Sequence, residues 1–368
     1  MKVLAMTTDG KLTYCSVSPE NRGKNRCNHI GHQNENESKE EFVKRVIEDL
    51  IGKASDNEKE EILSLGNLEK LEMISRHENL DILINDKDCE IRAAIAEQCY
   101  DLDRLINDES WVVRIAIVRQ GYRLDKLIDD KNSYVRRAVA RQGYGLDKLV
   151  DDEDSDVRVA VAEQGYGLDK LVNDESWFVR KAVAVHGYGL DKLVNDKKWA
   201  VRKAVAEQGY GLDKLVNDDE SSVRVIVAKQ GYGLDRLVYD EDWYVRKVVA
   251  KQRYGLDKLV NDKDLDVRVT VAEQGYGLDK LVDDEYPCVR IAVAKQGYSL
   301  DKLVNDKEPD VRVAVARQGY GLDKLVGDES WRVRAAVAEQ GYGLGELVND
   351  ENNKVRKISE KLINKKET

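Results

Sequence analysis

The chain has 368 residues, of which 35% are charged and 42% hydrophobic, and its formal net charge is −10. General nucleic-acid binders are usually basic overall or carry a basic stripe, so this balance argues against that class. No apolar run approaches the roughly 18 residues that a membrane span needs, and the first residues lack the apolar stretch of a secretory signal. The five cysteines are odd in number and scattered, which favours a reducing compartment, and we expect a cytoplasmic protein.

Residues 1–37 predict a small module with a β-hairpin at residues 2–17. Val3, Leu4 and Met6 lead into an Asp-Gly pair, which suits the positive φ angles of a tight turn, and a second apolar stretch follows. Residues 18–37 are polar and irregular. We expect the hairpin to dock on the rest of the chain, since two strands alone are marginally stable.

Two cysteines and two histidines fall close together in this module: Cys15, Cys27, His29 and His32. Two thiolates and two imidazoles form a tetrahedral zinc set, and a metal would stabilise so small a segment. Their spacing matches no zinc-finger form, and a hairpin without metal is the simpler interpretation. Zinc at these four residues is therefore an alternative to no cofactor at all.

Residues 38–67 predict two capping helices. Capping-box patterns begin at Ser38 and Ser55, and Gly66 is expected to end the second helix.

From residue 68 to 368 the chain is repetitive. Thirteen arginines stand at one constant spacing, beginning with Arg92 and Arg114 and ending with Arg356, and an aspartate lies six positions before each. A period without insertion or deletion indicates a single supersecondary unit stacked many times. Leu68 to Leu83 reads as a worn first repeat with Lys70 in place of the arginine, and the last repeat reads as a polar C-terminal cap.

Each repeat predicts two helices. Ser110 to Gln120 places apolar residues and small alanines on one face of a main helix, and Gly121 is well placed to end that helix in a left-handed conformation. The leucines that follow predict a second helix of about one turn, either α or 3₁₀. We therefore predict an all-α fold: a right-handed α-solenoid of 22-residue two-helix repeats with a small N-terminal β-hairpin module.

The stretch from Asp108 to Ile117 and its copies keep a fixed spacing of Asp, Trp, Val-Arg and Ala. In this spacing the chain resembles the leucine-rich repeat variant family, a relative of the HEAT-like helical repeats, over roughly residues 68–363. The family usually has an Asn-Pro turn where this chain has Gln-Gly-Tyr-Gly. The resemblance implies a scaffold that binds proteins or nucleic acids. It also implies that five tryptophans are core residues: Trp111, Trp177, Trp199, Trp243 and Trp331.

Three kinds of residue recur in the repeats, and for each we prefer a structural role to ligand binding. The arginines and aspartates are matched one to one, which favours ion pairs over phosphate binding. A tyrosine recurs between two glycines up to Tyr342, which favours packing between repeats over base stacking. Lysines such as Lys148 stand beside an aspartate on the short helix, which indicates a solvated, charge-balanced face.

The positions that vary between repeats carry the functional prediction. They lie two positions before each arginine, one after it and five after it, on one side of the main helix. The candidate partner-binding residues are Val112, Ile115, Arg119, Tyr134, Arg137, Arg141, Phe178, Lys181, Val185, Lys203, Tyr244, Lys247 and Lys251. Acidic residues such as Asp156 and Asp266 interrupt this row, unlike a phosphate track, and mixed charge with isolated aromatics is typical of a protein or peptide groove. Drift on an exposed face without a ligand is the alternative.

No enzyme motif is present, since His77 and His186 are isolated and no nucleophile–base set can be assembled from the repeats. We expect a non-enzymatic scaffold that binds a protein or peptide in a groove formed by the main helices. A nucleic-acid-binding solenoid is one alternative, and an N-terminal zinc module supported by the repeats is another.

Overall fold

The computed structural model describes residues 3–6, 12–15, 28–32 and 56–367. The chain divides into two units, the first ending at Gly189 and the second beginning at Leu190. From residue 56 to 367 the described chain is built of helices, which repeat regularly in each unit. The repeat helical architecture predicted from the sequence period is confirmed.

Three short strands precede the helices. Strands β1 (Val3–Met6), β2 (Leu12–Cys15) and β3 (Asn28–His32) form a sheet of order β2-β1-β3, in which β1 is antiparallel to both neighbours. The turn predicted between β1 and β2 lies outside the described residues, as does the helix predicted from Ser38. The hairpin module as a whole therefore stays a prediction.

In the first unit, α1 spans Asp56–Ser64 and is followed by the first repeat. Main helices of nine residues alternate with short helices of four residues. The main helices are α2 (Asn67–Ser75), α4 (Cys89–Glu97), α6 (Trp111–Arg119), α8 (Ser133–Arg141), α10 (Ser155–Glu163) and α12 (Trp177–Val185). The short helices are α3 (Leu80–Leu83), α5 (Leu102–Leu105), α7 (Leu124–Leu127), α9 (Leu146–Leu149) and α11 (Leu168–Leu171).

The second unit repeats the pattern and ends in a longer helix. The main helices are α14 (Trp199–Glu207), α16 (Ser221–Lys229), α18 (Trp243–Lys251), α20 (Leu265–Glu273), α22 (Pro287–Lys295), α24 (Pro309–Arg317), α26 (Trp331–Glu339) and α28 (Asn353–Glu367). The short helices are α13 (Leu190–Leu193), α15 (Leu212–Leu215), α17 (Leu234–Leu237), α19 (Leu256–Leu259), α21 (Leu278–Leu281), α23 (Leu300–Leu303), α25 (Leu322–Leu325) and α27 (Leu344–Leu347). Within each unit, every main helix packs against the main helix of the next repeat.

Local sequence sets both ends of the main helices. Ser110 is the N-cap of α6, and its hydroxyl accepts the amide of Val112 at 3.3 Å. Gly121 follows the helix with φ 70°, and the amide of Tyr122 donates to the carbonyl of Ile117 at 3.4 Å. This is a Schellman ending, and it confirms the predicted role of Gly121.

The structure decides one open alternative and changes one detail of the prediction. The short helices are single α-helical turns, since in α7 the amide of Ile128 donates to the carbonyl of Leu124 at 3.0 Å. Gly66 does not end α1 in a left-handed conformation. It is the N-cap of α2 in an extended conformation, and its amide donates to Glu69 at 3.2 Å.

The core of each unit lies between its repeats. In α10, Val157, Ala160, Val161 and Ala162 have no exposed surface, and Leu171 of the short helix is 2% exposed. The small alanines let neighbouring main helices approach closely. Helices of nine residues would be marginal alone, so contacts between repeats stabilise them.

Candidate functional site

The arginines that recur once in every repeat are structural. The guanidinium of Arg158 donates from Nε and Nη2 to the carboxylate of Asp174 in the next repeat, at 2.7 and 2.9 Å. Its Nη1 donates to the carbonyl oxygens of Asp152 and Glu153 in its own repeat, at 2.7 and 3.1 Å. One side chain thus joins two repeats through a two-pronged ion pair.

The same arrangement forms a ladder along each unit. The first rung uses Lys70, whose Nζ lies 2.7 Å from Asp86 with both side chains buried, so Lys70 takes the arginine's place as the worn repeat predicted. In the first unit the other pairs are Arg92–Asp108, Arg114–Asp130 and Arg136–Asp152. In the second unit they are Arg202–Asp218, Arg224–Asp240, Arg246–Asp262, Arg268–Asp284, Arg290–Asp306, Arg312–Asp328 and Arg334–Asp350.

The ladder changes the titration of its members. Burial alone would raise the pKa of Asp306, but the hydrogen bonds from Arg290 and from the amide of Glu308 outweigh it, and the pKa lies below its ordinary value. The pKa of Arg290 is raised by the hydrogen bond to Asp306. Both pKa shifts mean that the ion pair stabilises the charged forms of its two members. The guanidinium groups are therefore bound to their carboxylates and are not presented to a ligand.

The recurring tyrosines pack between repeats only in part. Tyr122 is 9% exposed, but Tyr144 is 41% exposed and Tyr342 43% exposed. More than half of each of these residues is covered, and the remainder faces solvent. The packing interpretation is thus incomplete for the later repeats.

Lysines of the short helices form ion pairs with the preceding repeat. Lys302 lies 2.6 Å from Asp283, and Lys148 lies 2.5 Å from Asp129. All four side chains are more than half exposed. This agrees with the predicted solvated, charge-balanced face.

The candidate partner-binding residues lie on an outward side of the main helices, while the core positions of the same helices are buried. Four predicted apolar site residues are highly exposed: Tyr134 at 46%, Phe178 at 53%, Val185 at 51% and Tyr244 at 43%. Arg119, Arg141, Lys181 and Lys251 are also exposed. Val112, Ile115, Arg137, Lys203 and Lys247 are partly covered.

An aromatic and charged cluster crosses three repeats of the first unit. We define it as the first cluster: Trp111, Tyr134, Arg137 and Asp156. The rings of Trp111 and Tyr134 lie 5.1 Å apart, and the Arg137 guanidinium lies 5.1 Å from the Tyr134 ring centre. Arg137 also donates to Asp156 at 3.1 Å. These contacts hold the exposed Tyr134 ring in a fixed orientation.

A second cluster in the second unit has a similar composition, with lysine in place of arginine, and we define it as Trp243, Tyr244, Lys247 and Asp266. The rings of Trp243 and Tyr244 meet edge to face at 5.6 Å. The ammonium of Lys247 lies 5.5 Å from the Trp243 ring centre and 3.2 Å from Asp266. The cation again bridges an aromatic pair and the aspartate of the next repeat.

A third aromatic pair lies on α12. Trp177 and Phe178 stack with their ring centres 3.7 Å apart, and Val185 lies two turns further along the same side. Lys181 stands between them and is exposed. This repeat therefore presents two exposed apolar side chains, Phe178 and Val185, to solvent.

Other basic residues of the row have acidic neighbours. Arg119 lies 3.4 Å from Glu97, and Lys203 lies 3.9 Å from Glu207. Arg141 lies 3.9 Å from Glu163 in the next repeat. The positive charge of the row is largely balanced within the chain.

The structure adds residues that sequence reasoning missed. Asp156 and Asp266 were interpreted only as interruptions of a basic row, yet each binds the cation of the preceding repeat. The available signal was a constant separation in sequence, because Asp156 follows Arg137 by the same number of positions as Asp266 follows Lys247.

The prediction that the five tryptophans are core residues is wrong, because none of them is buried. Trp111, Trp199 and Trp243 are 42%, 38% and 40% exposed, and Trp177 and Trp331 are only partly covered. The main helix already buries its valines and alanines, so the tryptophan at its first residue lies over the helix N-terminus at the surface. The tryptophans therefore belong with the variable surface.

The predicted zinc ligands are only partly placed. Cys15 is opposite Val3 in the β1–β2 register, and His32 is opposite Val3 in the β1–β3 register, so both backbones flank one residue. His29 is opposite Ala5, and Cys27 lies outside the described residues. Among the described residues, no group of three or more His, Cys, Asp or Glu is arranged to hold a metal ion. Zinc binding stays a prediction.

Comparison with known proteins gives this chain no identity. No family model matches it, and no curated protein is similar to it. Over the described residues, no helix is both long enough and apolar enough to cross a membrane.

Proposed function

We propose that this protein is a non-enzymatic scaffold that binds a protein or peptide through the variable side of its main helices. The observation that carries the proposal is the exposure of Tyr134, Phe178 and Tyr244 on helices whose core and ladder residues are otherwise the same. These rings contribute little to the burial that stabilises the repeats. Each ring lies against a tryptophan ring and so forms part of an apolar patch, and exposed apolar patches are typical of interaction sites.

The composition of the row favours a protein ligand. Aromatic side chains and arginine are enriched at the centres of protein interfaces and dominate their binding energy. The contacts within the two clusters restrict Tyr134 and Tyr244 before a partner arrives, which lowers the entropy lost on binding. We also propose that the repeats are a variant of the leucine-rich repeat variant type, on the spacing of Asp, Val-Arg and Ala alone.

Nucleic-acid binding is the weaker proposal. Arg119, Arg137, Lys203 and Lys247 each have an acidic neighbour at a distance between 3.1 and 3.9 Å. A phosphate backbone would have to displace those carboxylates and would meet their charge. A strong fall of affinity with salt would be the signature of that alternative.

A triple variant tests the scaffold proposal. Tyr134→Ala, Phe178→Ala and Tyr244→Ala together should abolish capture of a partner from cell extract, and purified partner should bind wild type at least tenfold more tightly. The matched control combines Tyr144→Ala, Tyr188→Ala and Tyr254→Ala, which are 41%, 43% and 38% exposed at the repeat turns. Equal binding by the two triple variants and the wild type would contradict the proposal.

A further inference from the structure

The tyrosine, the cation and the aspartate of the first and second clusters occupy equivalent positions in repeats that lie five repeats apart along the chain. The tryptophans do not, since Ser221 stands at the position equivalent to Trp111. The equivalent residues are Tyr134 and Tyr244, Arg137 and Lys247, Arg141 and Lys251, Asp156 and Asp266, Val159 and Val269, and Glu163 and Glu273. The next repeat in each unit does not correspond, since Phe178, Lys181 and Val185 are matched by Cys288, Ile291 and Lys295. The recurrence is thus confined to a block that contains the clusters.

The fold does not require this recurrence. The position of Tyr134 holds Ala200, Ser222 or Arg332 in other repeats, and all of them form the same main helix and ladder. The cross-repeat ion pair also recurs, at 3.1 Å for Arg137–Asp156 and 3.2 Å for Lys247–Asp266. The two blocks therefore share a surface rather than a structural need.

Each block has one cation that is more accessible to a ligand than the other. The central cation, Arg137 or Lys247, is neutralised by the aspartate of the next repeat. The second cation of the helix is less constrained: Arg141 is 55% exposed and has one ion pair, with Glu163 at 3.9 Å, and Lys251 is exposed with no ion pair among the described residues. At Lys251 a ligand carboxylate can pair with the cation without displacing another carboxylate, and at Arg141 it competes with Glu163 alone.

The spacing on the helix defines the ligand further. Tyr134 and Arg141 are seven residues apart on one side of α8, as are Tyr244 and Lys251 on α18. Seven residues of α-helix span about 10 Å. A peptide in the extended polyproline II conformation covers about 9 Å in three residues and presents residues i and i+3 on the same side.

We propose that the two clusters are equivalent docking sites for one kind of ligand, an extended peptide segment with an apolar side chain and a carboxylate three residues apart. The apolar side chain packs on Tyr134 or Tyr244, and the carboxylate pairs with Arg141 or Lys251. One chain then binds two such segments. This inference rests on the proposed scaffold function and specifies its ligand and its stoichiometry.

The test is selection from a display library of random nine-residue peptides against the full chain, followed by isothermal titration of the selected peptides. We expect an acidic residue three positions from an apolar residue, and two peptides bound per chain. Tyr134→Ala and Tyr244→Ala should each reduce the stoichiometry from two to one, and the double variant should bind none. Arg141→Glu or Lys251→Glu should weaken its own site at least tenfold.

Controls separate this inference from the proposed function. Tyr210→Ala changes a ring that is 43% exposed at a repeat turn and should leave two sites. One peptide per chain, or two sites that ignore both tyrosine variants, would overturn the duplication while leaving the scaffold function standing. A library that yields no binding peptide would overturn the peptide ligand, while the scaffold function would still stand or fall with the triple variant. Salt-sensitive binding of a single-stranded oligonucleotide, lost in the same tyrosine variants, would overturn the assignment to a peptide.

Discussion

The two glycines of each repeat turn have different physical roles. Gly209 has φ 72°, and a Cβ added there would meet nothing within 4 Å. Gly211 has φ 63°, and a Cβ there would lie 2.5 Å from Cγ2 of Val194 in the preceding repeat. The first glycine is needed for its dihedral angle alone, whereas the second also permits the close approach of two repeats.

We expect Gly211→Ala to destabilise the protein more than Gly209→Ala. The left-handed conformation costs an L-residue about 1–2 kcal/mol, so Gly209→Ala should lose about that amount. Gly211→Ala should lose a further 1–3 kcal/mol or so from overpacking against Val194. Urea unfolding of the two variants measures the difference. Equal losses would mean that the turn relaxes as it does at Ser299, which occupies the equivalent position with φ 50°.

We expect the loss of one ladder arginine to reduce the free energy of unfolding more than either glycine substitution does. Arg246 and Asp262 are 6% and 7% exposed and lie 2.6 Å apart, so Arg246→Ala leaves a buried carboxylate without its partner. Losses of about 3–5 kcal/mol are typical of that change. Asp262→Asn should restore part of the loss in the double variant, because it removes the stranded charge. Arg236→Ala, on an exposed short helix, is the control and should change the free energy of unfolding by less than about 0.5 kcal/mol.

At the scale of the helices, the features that could be predicted from the sequence are those that depend on local residue preferences. The sequence period, the N-cap at Ser110 and the left-handed Gly121 all follow from residue types whose preferences are local, and the structure confirms them. The direction of the ladder could not be predicted, because Asp108 is near Arg114 in sequence yet its carboxylate binds Arg92. That choice depends on how two repeats meet.

In the candidate site, too, the contacts between repeats could not be predicted from the sequence. Its residues were found because they vary against an invariant background, a signal that needs no coordinates. The tryptophans were misplaced because Trp111 was assigned by resemblance, while its exposure of 42% depends on packing between helices. The pairing of Arg137 with Asp156 likewise arises only when neighbouring helices are stacked.

The carboxylates of the ladder lead us to expect that the protein loses stability in acid. Bonds from arginine and from backbone amides hold the pKa of Asp306 and of Asp218 below the ordinary value, although burial opposes this. A carboxyl with a depressed folded pKa contributes stability above its unfolded pKa of about 3.9, and loses it as pH falls through the folded pKa. We expect the melting temperature to be nearly constant from about pH 7 to 5 and to fall steeply below about pH 4.

Asp306→Asn should lower the melting temperature at neutral pH and reduce the steepness of its acid fall. Asp301→Asn, on the exposed short helix α23, is the matched control and should change neither. A wild-type melting temperature that stays constant to about pH 3 would contradict the role given to the ladder. Circular dichroism at a series of pH values provides the measurement.

At the scale of the whole molecule, stability is a sum of repeat and interface contributions, since within each unit every repeat contacts its immediate neighbours. Such a chain tolerates the loss of a full repeat if both the helix order and the ladder register are kept. Deleting the segment 287–308 removes one whole repeat and joins Tyr286 to Pro309. Arg312 then follows Asp284 by six positions, as Arg290 does in the intact chain.

We expect the whole-repeat deletion to fold with unchanged helicity per residue and a cooperative melting transition. Deleting the segment 287–297 removes half a repeat and should lose helicity, because Asp284 then has no arginine six positions later and α20 has no main helix in the next repeat to cover its valines and alanines. Far-ultraviolet circular dichroism and thermal melting distinguish the two. Equal behaviour of the two deletions would mean that stability does not depend on the register of the ladder, and that the contacts between main helices can re-form without it.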